Sequence, residues 1–174
     1  NQTDFKLEGH STLTSDVALS FVNLNLNDFT LTLGSPTSDL TVQNAITIDT
    51  STEGIYSGEA DLTVEGGFTL ANGKLESTSG ELIFRKGVTQ SGSSVFDLGA
   101  SDLTVEGDVT LANNGKLKST SGTLILTSGG TQSGGILDIS DSTLKLGESF
   151  TKTAGTLTTT DDGTILELMK NLTV

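Results

Sequence analysis

Residues 61–92 and 102–134 carry almost one text, identical at 24 of 32 aligned positions, with an offset of 41 that becomes 42 after the extra Asn114. A duplication of this kind confines the chain to repeat architectures, whose units bury their apolar faces only against one another. Each copy divides again. Leu62, Phe68 and Leu75 are followed 20 residues later by Leu82, Val88 and Val95, so the unit is a coil of about 20 residues with three short apolar stretches. Within a coil the apolar residues alternate, as in Leu62-x-Val64, Phe68-x-Leu70 and Phe96-x-Leu98, the period of strands with one buried face. Gly, Ser, Asn and Asp fill the gaps as corners.

Three strands and three corners per coil of about 20–21 residues predict an all-β fold, a parallel β-solenoid of roughly triangular section. Coils start at Leu40, Leu62, Leu82, Leu103, Leu124 and Leu144. This reading gives six to seven coils in a single domain over 1–174. Residues 1–35 form looser coils or a strand leading into the first coil, 36–164 the regular coils, and 165–174 a partial last coil. The expected interior is Leu62, Val64, Phe68, Leu70, Leu75, Leu82, Phe84, Val88, Phe96, Leu98, Leu103, Val105, Val109, Leu111, Leu117, Leu124 and Leu126.

Composition fits a thin core: 33% of residues are apolar and 5% aromatic, with 21 Gly for the corners. The sole proline, Pro36, falls in a turn, where no ladder donor is needed. A net charge of −13 argues against nucleic acid and anionic membrane surfaces, which require clustered Lys and Arg. No run approaches 18 apolar residues, so no membrane insertion is expected. The chain opens on Asn1 rather than Met, as expected of a processed or excerpted chain, and zero Cys excludes a disulfide framework.

One column is unbroken. Thr47, Thr69, Thr89, Thr110, Thr131 and Thr151 follow at 22, 20, 21, 21 and 20 residues and should form an outward Thr ladder, stabilising the sheet through cross-strand contacts. Ice-binding solenoids resemble two parallel Thr files from Thr-x-Thr triplets. Here such triplets occur at Thr12–Thr14, Thr30–Thr32 and Thr156–Thr158 and do not read as one register. In the outward middle of the first strand, Ile83 and Ile125 interrupt a series of Thr and Lys and are the natural lateral contacts.

No catalytic residues are expected. His10 is the only histidine, and Asp97 and Asp138 stand two coils apart with no acid between them. Asp161-Asp162-Gly163 reads as a turn. No cofactor and no dedicated metal site are expected, since the Gly-Gly-x-Gly-x-Asp nonapeptides of calcium-binding coils do not occur. A carbohydrate-active β-helix is the competing class, although a chain with one Tyr and no Trp has few aromatics for stacking on sugars.

The phrases Leu62–Gly66, Gly73–Gly80, Leu103–Gly107 and Gly115–Gly122, set in a Gly/Ser/Thr/Asn-rich remainder over residues 40–165, resemble the β-helical shafts of large bacterial surface proteins. Filamentous-haemagglutinin-like adhesins and autotransporter passengers are built in this style. The resemblance implies a non-catalytic, secreted or cell-surface protein used for adhesion or as structural material. A host or surface glycan or protein is then an expected partner. Self-association is expected too, because Leu172, Thr173 and Val174 restate the coil-opening phrase and leave an unfinished coil. Strand addition between Leu166, Leu168 and that phrase on one subunit and Phe5 and Leu7 on the next would build a fibre.

Overall fold

The computed structural model describes residues 3–159, 163–168 and 170–174, so the turn expected at Asp161-Asp162 lies outside the described residues. All described strand pairs are parallel, and no helix occurs among the described residues. The chain winds through about eight turns of a parallel β-solenoid with three faces. The count exceeds six to seven because residues before 36 already coil. Thr3–Lys6 and Leu19–Asn25 pair with each other, and Ser11–Leu13 pairs with Thr30–Leu33, all within the same two sheets as the later coils.

Face one is a nine-stranded sheet that includes Leu40–Val42, Leu62–Val64, Glu81–Phe84, Asp102–Val105, Thr123–Leu126, Thr143–Leu146 and Ile165–Leu168. Faces two and three join into one 13-stranded sheet. The join comes from Gly130–Asp138 and Phe150–Thr158, which run through the corner as continuous strands. Gly135 (φ 67°) and Gly155 (φ 82°) bend them there, in a backbone region that residues with a Cβ rarely enter.

Every residue expected inside is buried. One step of the register differs: Leu75 stacks on Phe96, whereas Val95 pairs with Lys74 and is half-exposed. The corner Ser91–Ser94 is one residue longer than Ala71–Gly73, which delays the strand by one and carries Val95 to the outside. The core is densest where Phe68, Phe84 and Phe96 meet, with ring centroids 4.7 Å, 5.8 Å and 6.1 Å apart. In the second copy Phe68 and Phe84 become Val109 and Leu126, and Val88 becomes Gly130. Those smaller side chains leave a cavity of about 10 Å³ lined by Val109, Leu126, Leu137 and Phe150, with Gln90 at its edge.

The interior also carries polar groups, and they repeat every two coils rather than every coil. Ser101 Oγ donates to Ser77 Oγ (2.6 Å), and Ser142 Oγ donates to Ser119 Oγ (2.9 Å) two coils on. Gln90 Nε2 donates to the Lys116 carbonyl (2.6 Å), and Gln132 Nε2 to that of Thr156 (2.9 Å). Each buried amide thus ties its own coil to the next across a corner through its N–H groups, while its Oε1 has no hydrogen-bond partner among the described residues. The spacings Ser77 to Ser119, Gln90 to Gln132 and Ser101 to Ser142 match the 41–42-residue offset of the sequence duplication.

Glu53, only 8% exposed, clips two corners together: its Oε1 accepts from the Asp28 amide (3.1 Å) and its Oε2 from the Asp49 amide (3.0 Å). The Asp28 turn needs that support, since Asn27 and Asp28 both have positive φ (51° and 67°). Glu53→Ala is expected to lower stability by about 1–3 kcal/mol through two stranded N–H groups. Hydrogen exchange should show the Asp28 and Asp49 amides losing protection first, and unchanged protection at both would remove the clip.

Candidate functional site

The Thr ladder lies on face two as expected. Thr47 pairs with Thr69, and the pairing continues in register through Thr89, Thr110, Thr131 and Thr151. It then extends to Thr173, one coil farther than the spacing suggested. The residues flanking it toward the corners are small, and β-branched Thr suits the exposed surface between them. The triplets on face three are more ordered than their spacing implied. Through the intervening pairs Thr156 and Thr158 share the columns of Thr30 and Thr32, six coils away, and Thr12 pairs with Thr32. Long and charged side chains fill the columns between, so no second Thr file forms.

On face one the outward column reads Thr41, Thr63, Ile83, Thr104, Ile125, Lys145, with Glu167 beyond. Ile125 is 36% exposed and Ile83 is half-buried, two coils away on the same side. At the last coil, Leu166 and Leu168 continue the inward columns of Leu144 and Leu146 and are 43% and 44% exposed. Thr173 and Val174 are exposed and Leu172 is half-buried. The first coil differs. Phe5 is half-buried and stacked on Phe21 at 4.7 Å, and Leu7 is 1% exposed because its strand closes over the core beside Leu26. Leu7 therefore presents no side chain to a neighbour, and an addition at this end would use the free backbone edge of Thr3–Lys6 instead.

His10 sits at the rim of the first coil, its Nδ1 accepting from the Thr30 amide (3.1 Å) and its ring set edge-on to Phe29. Asp97 and Asp138 share one column with Lys118 between them, and Lys118 Nζ lies 3.2 Å from Asp97 Oδ2. An ammonium between two carboxylates separates them as a pair. Asp39 and Asp61 each accept from a backbone amide of the next coil (3.1 and 2.7 Å), as Asp102 does (2.8 Å), which makes this outward acid column a set of ladder caps. The sole arginine, Arg85, is held between Glu65 and Glu106 on adjacent coils. Among the described residues no three His, Asp or Glu side chains gather as a metal-binding group would.

Face three holds the most varied chemistry. Tyr56, Glu76, Asp97 and Lys118 follow one another in register on successive coils. They line an open groove of about 430 Å³ together with Thr78, Thr120, Gly58 and Gly99. The two glycines have φ of 60° and 54° and carry no side chain into it. The register shifts at this corner, where a β-bulge pairs Ser77 with Gly58 instead of Ser57. The spacing of single residues marked none of this, because the groove arises from a bulge and from columns whose members differ from coil to coil.

No family model matches the chain, and neither a curated protein nor a solved structure matches it.

Proposed function

We propose that this chain is a non-catalytic extracellular structural or adhesive rod, of the kind built by filamentous-haemagglutinin-like adhesins and autotransporter passengers, in which one solenoid stacks end to end on the next. The observation that carries this reading is the last coil of face one. Its inward columns run unbroken from Leu40 and Val42, buried in every coil through Leu144 and Leu146, and become open at Leu166 and Leu168. Among the described residues the strand Ile165–Leu168 pairs on one side only. A further coil laid on it would satisfy a row of backbone groups and cover two leucines, worth up to about 1.5–3 kcal/mol each. A second copy provides such a coil, and the contact is heterologous, so it propagates. The alternative is that the chain is one segment of a longer shaft, whose next coil is covalently attached.

Sedimentation and negative-stain microscopy across a concentration series separate the two. End-to-end stacking predicts filaments one solenoid wide that shorten or vanish when Leu166→Asp and Leu168→Asp are combined. A chain that stays monomeric at high concentration, with the double variant unchanged, would leave the longer shaft as the reading.

A further inference from the structure

We propose that the groove along face three binds a neutral oligosaccharide lying parallel to the solenoid axis. The inference rests on the adhesive half of the reading above and is independent of end-to-end stacking.

Charge selects the class of ligand. Glu76 lies 3.5 Å from Lys74, and Asp97 lies 3.2 Å from Lys118, so each carboxylate in the groove has a cation beside it and neither sign of charge dominates there. What remains is a fixed set of acceptors and donors side by side, completed by the Thr78 and Thr120 hydroxyls. Sugar hydroxyls, which donate and accept at once, need both kinds of group at short spacing.

Tyr56 supplies the apolar element. Its ring edge, Cε2, lies 3.3 Å from where a Cβ on Gly54 would stand, so the ring packs back along its own strand over that glycine. Tyr56 stands at one end of the polar column, half-buried and lining the groove, where it offers a sugar an apolar surface to pack on. The shape agrees. From Tyr56 to Lys118 the column crosses three strand spacings, roughly 14 Å, the reach of a short extended chain rather than of a single sugar.

Tyr56 is the only Tyr and there is no Trp, so the intrinsic fluorescence of the protein reports on this groove alone. Neutral tetrasaccharides of glucose, N-acetylglucosamine and mannose would be titrated against it, with calorimetry on the same samples. At least one should perturb the fluorescence saturably. Combining Glu76→Gln with Asp97→Asn, which keeps the side-chain shapes, should weaken that binding by about tenfold, a loss of about 1.4 kcal/mol. Tyr56→Ala should abolish it in calorimetry, with the β-sheet circular dichroism spectrum retained, and Thr110→Ala on face two should leave it unchanged. The proposal is overturned if no tetrasaccharide binds, if Thr110→Ala weakens binding as much as the groove variants do, or if a charged saccharide or peptide binds in preference. Rods that assemble yet bind no sugar overturn the groove and leave the stacking intact.

Discussion

Replacing Phe84 with Ala is expected to lower the unfolding free energy by about 3–5 kcal/mol, the range for a fully buried aromatic. Phe84 is entirely buried and makes two ring contacts, tilted against Phe68 and edge-on to Phe96, so truncation removes favourable ring geometry as well as apolar area. Its neighbours belong to two adjacent coils whose backbones are locked by ladders on both sides and cannot collapse into the space. The internal repeat provides the control. Leu126 occupies the same place two coils on and already borders a cavity of about 10 Å³, so Leu126→Ala starts from looser packing and should cost about 2–3 kcal/mol. Urea denaturation followed by far-ultraviolet circular dichroism measures both. Equal losses would mean that the phenylalanine cluster is not the densest part of the core.

Stacked coils couple mainly to their neighbours, so the Phe84→Ala lesion should open the middle of the rod before its flanks. The ladder between the strands at Leu62–Val64 and Glu81–Phe84 should lose amide protection ahead of that between Thr123–Leu126 and Thr143–Leu146.

Alternation made the solenoid legible. Wherever apolar letters mark the inward positions, as from Leu62 to Leu126, the strands, faces and core follow from the sequence. The polar interior was hidden by the same rule. Ser77, Gln90, Ser119 and Gln132 occupy inward positions, but a polar letter at a strand end reads as outward, and only the carbonyls and hydroxyls of adjacent coils make it tenable inside. The early coils were obscured for another reason. Leu19–Asn25 bends through a corner without a break, and the turn after it takes its positive φ from Asn27 and Asp28 rather than from Gly. A corner residue set one place farther along displaced Val95. The Thr column survived because a straight ladder depends only on coil length. The groove beside Tyr56 depends on a bulge, and a bulge leaves no periodic mark.

Corner glycines set the second large effect. Gly92→Val is expected to destabilise the chain by at least about 3 kcal/mol, whereas Gly67→Ala should lie within about 0.5 kcal/mol of the parent. Gly92 has φ of 61°, where a β-branched residue is strained by about 1–3 kcal/mol. Its added Cβ would also run into the carbonyl of Ala71 on the coil below, and that oxygen belongs to backbone held by the ladder. Overpacking of that kind adds about 1–3 kcal/mol. Gly67 has neither constraint: nothing lies within 4 Å of its Cβ position, and two coils on the repeat places Asp108 there. The duplication shows the same rule at work in the insertion. With Asn114 added, the corner of that coil places its left-handed residue at Asn113 (φ 54°), one of the few side chains that tolerate it, and the following strand keeps its register. Thermal melting of the two glycine variants decides the matter: a Gly92→Val protein that melts with the parent would show that the coils can separate locally, and the close stacking of corners would no longer explain where glycine stands.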